Sequence, residues 1–210
     1  MRSMPAYYPP DPSGTNGAPH RKTSAAQVAL WWLMGVIGML FTLMLTAYVM
    51  RMSYGDWQPI PAGTSITPLW GTTALLVLAC AMLQAAVHAS RHGELLRAQR
   101  RWAIAGLAAA AFLAGQLWVW HLLGLRHFDV AGNPANSFFY LLTGLHGLHV
   151  AGGLLVWAAL ARRRLSPATR AHRLALTAQY WHFLLALWLV LFAAIANLTP
   201  AIAQRLCGVG

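Results

Sequence analysis

Hydropathy along the chain rises and falls five times. Long apolar runs at Gln27–Met50, Pro68–Ala89, Trp102–Leu125, Ser137–Leu160 and Leu174–Asn197 alternate with short stretches that hold nearly all the charge. Each run supplies the ~20 apolar residues a helix needs to cross a hydrocarbon core of about 30 Å. The only acidic residues, Asp11, Asp56, Glu94 and Asp129, fall outside all five. The pattern predicts an all-α protein, an integral membrane bundle of five transmembrane helices. Short connections further predict that sequential helices pack as antiparallel neighbours. The longest connection, "RMSYGDWQPIPAGTSITP", carries prolines 59, 61 and 68, and Pro68 suits the first turn of the second span. Trp57, Trp70, Trp102 and Phe128 are expected to settle as aromatic anchors at headgroup level.

Composition agrees with the pattern. Of 210 residues, 58% are hydrophobic and 9% charged, against roughly 25% charged in a soluble domain. A net charge of +11 invites a nucleic-acid reading, but its distribution argues against one. Twelve of the fifteen basic residues lie before the first span, between the second and third, or between the fourth and fifth. That alternation follows the positive-inside rule and predicts a cytoplasmic N-terminus and a periplasmic C-terminus. Arg97, Arg100, Arg101, Arg170 and Arg173 are candidates to meet lipid phosphates on the cytoplasmic side, or to act only as solvated topology signals. The first residues, "MRSMPAYYPPDPSGTNGAPHRKTSAA", lack the apolar core of a signal peptide. The expected organisation is a flexible cytoplasmic tail at 1–26, a membrane domain at 27–200 and a short C-terminal tail at 201–210. Cys80 and Cys207 are placed too far apart to form a disulfide and lack metal-site spacing.

The fourth span is the unusual one. Thr143, Gly147 and Ala151 recur every four residues, with Gly144 and Gly152 beside them. Small residues at that spacing let two helices approach closely in lipid, where packing drives association. Gly35 and Gly38 suggest a second close contact on the first span. Five of the nine histidines, His88, His121, His146, His149 and His182, lie in or at the edge of spans, and a polar ring in a bilayer needs a partner. At ~1.5 Å per residue, His149 sits roughly 18 Å from the outer end of its span and His182 roughly 22 Å. The matched depth is compatible with a bis-histidine haem b, or with copper or zinc. With only one level-matched pair and no Cys, Met or carboxylate nearby to complete a metal shell, the residues favour neutral histidines bonding across helices to groups such as Thr143, Gln116 and Gln179. Proton relays and transporters usually place acids, broken helices or inverted repeats in the membrane, and these spans contain no acid.

Two motifs then carry a resemblance. "FFYLLTGLHGLHVAGG", Phe138–Gly153, and "YWHFLLALWLVLF", Tyr180–Phe192, resemble the last two helices of subunit III of haem–copper cytochrome c oxidases. "ALWWLMGVIGMLF", Ala29–Phe41, is similar to an earlier helix of that family. The likeness extends over all five spans and corresponds to a five-helix form lacking the first two helices of the common seven. It implies a non-catalytic subunit of the bacterial inner membrane with no cofactor of its own, haem and copper residing in partner subunits. It implies packing on oxidase subunit I, association with subunit II and small subunits, and bound phospholipid, with no role for nucleic acid. The residues it marks are His146, His149, Tyr180, Trp181 and His182. Ile37, Ala175 and Leu185 stand where the family usually carries acids. That departure also admits the related accessory subunit of nitric oxide reductases.

Overall fold

A computed structural model describes residues 24–52, 67–125, 134–163 and 166–197. Residues 1–23 of the expected tail, the C-terminal tail at 201–210, Trp57, Phe128 and Cys207 lie outside the described residues. Five helices coincide with the five apolar runs: α1 Ala25–Met52, α2 Thr67–Arg91, α3 Leu95–Gly124, α4 Pro134–Arg162 and α5 Pro167–Asn197. All five are long and apolar enough to cross a membrane, and the described residues include no strand.

Helix ends follow local chemistry. Ser24 caps α1, its hydroxyl accepting from the Gln27 amide at 3.2 Å, as N-cap serines do. Ser166 does the same for α5 through the Thr169 amide, at 3.4 Å, with Pro167 at the favoured first helical position. Between α2 and α3 the chain turns in three residues. The Glu94 amide donates to the Ala89 carbonyl and the Gly93 amide to that of Ser90, while Gly93 takes φ +77°. This is the Schellman arrangement, and its left-handed position favours glycine. The third helix begins seven residues before the predicted Trp102. Arg97, Arg100 and Arg101 therefore stand on the first turns of α3, and Arg170 and Arg173 on those of α5, where connections were expected.

Helices α2, α3, α4 and α5 close into a ring in which each touches the next, with the widest contact between α2 and α3. Alanines make that closeness possible: Ala79, Ala86 and Ala89 of α2 and Ala98, Ala105 and Ala109 of α3 are all buried. At Gly115, an added Cβ would come within 2.7 Å of the Thr72 methyl. The first helix departs from the expected neighbour rule, touching α4 and α5 and making no contact with α2. On α1 only Ile37, Phe41, Tyr48 and Met52 are buried. Gly35 faces open space and a Cβ added at Gly38 would meet Phe183 at an ordinary 3.8 Å, so neither marks a tight crossing.

Polar side chains inside the ring bond across helices. Trp188 Nε1 donates to Thr73 Oγ1 at 2.9 Å, and Gln116 Nε2 donates to Thr72 Oγ1 at 3.2 Å. Both threonine hydroxyls donate in turn to the Leu69 carbonyl. Hydrocarbon offers no competing partner for such groups, so these bonds fix α5 and α3 against α2. Trp102, expected at the interface, is instead buried in the core. Its carbonyl accepts from Trp157 Nε1 at 3.0 Å, and the two indoles stack.

Candidate functional site

The glycine–histidine motif lies on α4 where three helices meet it. His146 is buried between Phe112 of α3, edge-on at 5.8 Å, and Trp188 of α5, at 5.0 Å between ring centres. Neither of its nitrogens has a hydrogen-bond partner. His149, one turn further, turns toward α1, meeting Phe41 edge-on at 5.8 Å. Its Nδ1 donates to the Leu145 carbonyl of its own helix at 2.7 Å. His182 likewise donates to Ala178 at 2.6 Å and lies on the exposed surface of α5.

These positions correct the cross-helix expectation. Gln116 and Thr143 are buried as foreseen, but their partners are Thr72, the Phe139 carbonyl and the Trp120 indole; none is a histidine. Gln179 is exposed. The matched depth of the two helices is real: the Tyr180 hydroxyl donates to the His149 carbonyl at 3.1 Å. His182 follows Tyr180 by two residues, about 200° around the helix, and so turns away from α4. The two imidazoles share no common space for a haem. Among the described residues, no three His, Cys, Asp or Glu side chains converge to hold a metal ion.

Small residues of the motif divide differently from their spacing. Gly153 is the closest packed: an added Cβ would meet Tyr180 at 3.1 Å and Trp181 at 3.3 Å. A Cβ added at Gly144 would meet Trp120 at 3.1 Å, and one added at Gly147 would meet Leu113 at an ordinary 3.7 Å. Gly152 meets nothing within 4 Å, which corrects its assignment to a tight contact. Thr143 is buried and Ala151 half-buried. Trp181 is buried, its carbonyl accepting from Cys80 Sγ at 3.3 Å. Sequence spacing overlooked Gly106, where a Cβ would overlap the Trp157 indole. A lone glycine in an alanine-rich helix was its only signal.

The positions usually acidic in the resembling family are packed with apolar side chains. Ile37 is buried against α4 and α5, and Ala175 and Leu185 pack on the main core.

Because α1 leans only lightly on α4 and α5, a groove opens along their junction. At the basic end it is a hollow of about 440 Å³ whose polar lining includes Ser24, Arg163, Thr169, His172 and Arg173. Ser24 Oγ and His172 Nε2 lie 3.0 Å apart, closing the rim. Ala26, Val156, Leu176 and Thr177 continue into a second hollow of about 350 Å³, whose walls include Leu30, Leu33, Gly152 and Tyr180. The open space at Gly152 is part of this second hollow. A cationic mouth above an apolar trough suits an amphiphile with an acidic head. Sequence reasoning named Arg173 but missed Ser24, Arg163 and His172, which only the fold brings together.

The other arginines divide by partner. Arg97 Nη1 pairs with Glu94 at 2.8 Å, and Arg101 Nη1 donates to the Ala85 carbonyl at 3.0 Å. Arg170 borders a smaller hollow of about 280 Å³ beside Trp102 and Trp157.

Comparison with known proteins adds a family signal. The family model described as cytochrome c oxidase subunit III matches residues 30–198. The chain is 34% identical over 144 residues to "Probable cytochrome c oxidase subunit 3" of Nocardia farcinica, covering 67% of this chain and 71% of that protein. It is 30% identical over 169 residues to the protein of that name in Mycobacterium leprae, covering 79% and 80%. It is also 28% identical over 172 residues to "Cytochrome c oxidase subunit 3" of Thermostichus vulcanus, covering 77% and 81%.

Proposed function

The chain belongs to the cytochrome c oxidase subunit III family, and from that premise we propose that it stabilises the catalytic core of a bacterial haem–copper oxidase and holds phospholipid beside it. It is a multi-pass membrane protein. Its place is the inner membrane, N-terminus in the cytoplasm, packed on oxidase subunit I near subunit II and the small subunits. The haems and copper that oxidise a cytochrome c-like donor and reduce oxygen reside in those partners.

The observation that carries this reading is the groove between α1, α4 and α5. Its mouth offers the guanidiniums of Arg163 and Arg173 to a phosphate, each arginine near a membrane surface contributing about 1 kcal/mol toward acidic lipid. Its trough offers apolar walls to an acyl chain. The histidine motif supports a structural role, since His146 and His149 are engaged in packing and in their own helix. Ile37, Ala175 and Leu185 remove the carboxylates through which such a subunit could relay protons, so its contribution here is to packing and lipid.

The test is to purify the oxidase with and without this chain and follow successive turnovers. A core lacking the chain should keep its haem spectrum, retain less phospholipid and lose activity sooner. A core that loses a haem together with the chain contradicts the proposal.

A further inference from the structure

The turn between α2 and α3 carries two histidines that the oxidase reading leaves unused. His88 lies on the last turn of α2 and His92 is the first residue beyond it, its amide still donating to the His88 carbonyl at 3.2 Å, so the two share one face at i, i+4, and both are exposed. Their ring centres lie 4.5 Å apart with planes inclined at 62°. Two imidazoles bound to one tetrahedral ion through Zn–N bonds of about 2.0–2.1 Å hold their ring centres about 5 Å apart. Small side-chain rotations bring the observed pair to that spacing.

The surroundings leave the pair free for a ligand. No hydrogen bond ties either ring among the described residues, whereas His149, His172 and His182 are each in contact with an oxygen. The rings stand at the C-terminal end of a 25-residue helix, where the macrodipole favours a cation. Arg91 on the same turn opposes one, and Glu94 next door is committed to Arg97 at 2.8 Å. The protein thus supplies two nitrogens, water completes the shell, and the donors suit late first-row ions over magnesium or calcium.

We propose that His88 and His92 form a surface chelate for a late first-row divalent cation, with Zn²⁺ as its simplest occupant. The bound ion bridges the last turn of α2 and stiffens the Schellman turn at Gly93 that joins the two most closely packed helices. The site is independent of the lipid groove and of any partner's haem or copper.

The experiment is calorimetric titration of Zn²⁺ into the chelator-treated, detergent-purified complex containing the full chain, alongside the His88→Ala and His92→Ala complexes. Loss of a direct ligand should weaken this site by at least the roughly 10- to 100-fold that mutation of a supporting partner costs. Each variant should therefore bind one fewer equivalent than the wild type over the same concentration range. Cu²⁺ in the wild type should show a spin-resonance signal coupled to two nitrogens, and each variant should lose it. Equal stoichiometry and affinity in the wild type and either variant overturns the proposal.

Discussion

The phenol of Tyr180 donates a hydrogen bond to the backbone carbonyl of His149 at 3.1 Å, joining α5 to the histidine motif of α4. That carbonyl lies in an unbroken stretch of helix, so the phenol adds to the helix's own bonding and replaces none of it. Gly153, one turn away, leaves room for the same ring. Tyr180→Phe should remove the bond while keeping the ring, at a cost of about 1 kcal/mol. Thermal unfolding of the purified complex, followed by release of this chain, should shift down by a few degrees with its optical spectrum unchanged.

Glycine substitutions should rank by clearance. Gly106→Ala forces its methyl into the Trp157 indole and should destabilise by about 1–3 kcal/mol, the range for overpacking a tight core. Gly152→Ala meets open space and should leave stability near the wild type. Chain yield and melting temperature of the two variants, measured side by side, check the order.

His146 offers a sharper case. Both its nitrogens are buried without a partner, so the ring contributes packing while carrying the desolvation cost of two polar atoms. His146→Leu should preserve stability or raise it by about 1 kcal/mol. A melting temperature several degrees below the wild type would show that the imidazole bonds to something essential in the assembled oxidase.

Arginines should differ by position. Arg163→Gln with Arg173→Gln removes two charges from the groove mouth and should lower retention of acidic phospholipid by about thirtyfold, at ~1 kcal/mol per residue. Arg97→Gln removes a charge already paired with Glu94 at the surface and should change retention little, as exposed pairs contribute little. Native mass spectrometry of the lipids held by each complex measures both.

Five helices could be read directly from hydropathy because an intramembrane helix must satisfy its backbone internally, so length and apolarity suffice. Neighbour relations followed chain order from α2 to α5 but not for α1. The first helix is apolar on every side, which leaves no face to mark its partners on α4 and α5. Periodicity of small residues pointed to Gly152, whereas the tight contacts fell on Gly153, Gly106 and Gly115, because indole and threonine side chains from other helices decide where room is needed. Histidine depth was legible at the level of turns, but the outward rotation of His182 relative to Tyr180 depends on helix orientation in the bundle. The groove was the least legible feature, since Ser24 and His172, 148 residues apart, meet only when α1 lies on α5.

The central claim, that this chain is an accessory subunit whose oxidase carries the redox centres elsewhere, is tested most directly by mild-detergent capture of the tagged chain. Every co-purifying polypeptide is identified, and the reduced-minus-oxidised spectrum is recorded before and after the chain is stripped from its partners. The account predicts a large many-span partner bearing haem and copper, with all the colour leaving with that partner. Haem absorbance that stays with the isolated chain and disappears in His149→Ala or His182→Ala would contradict it.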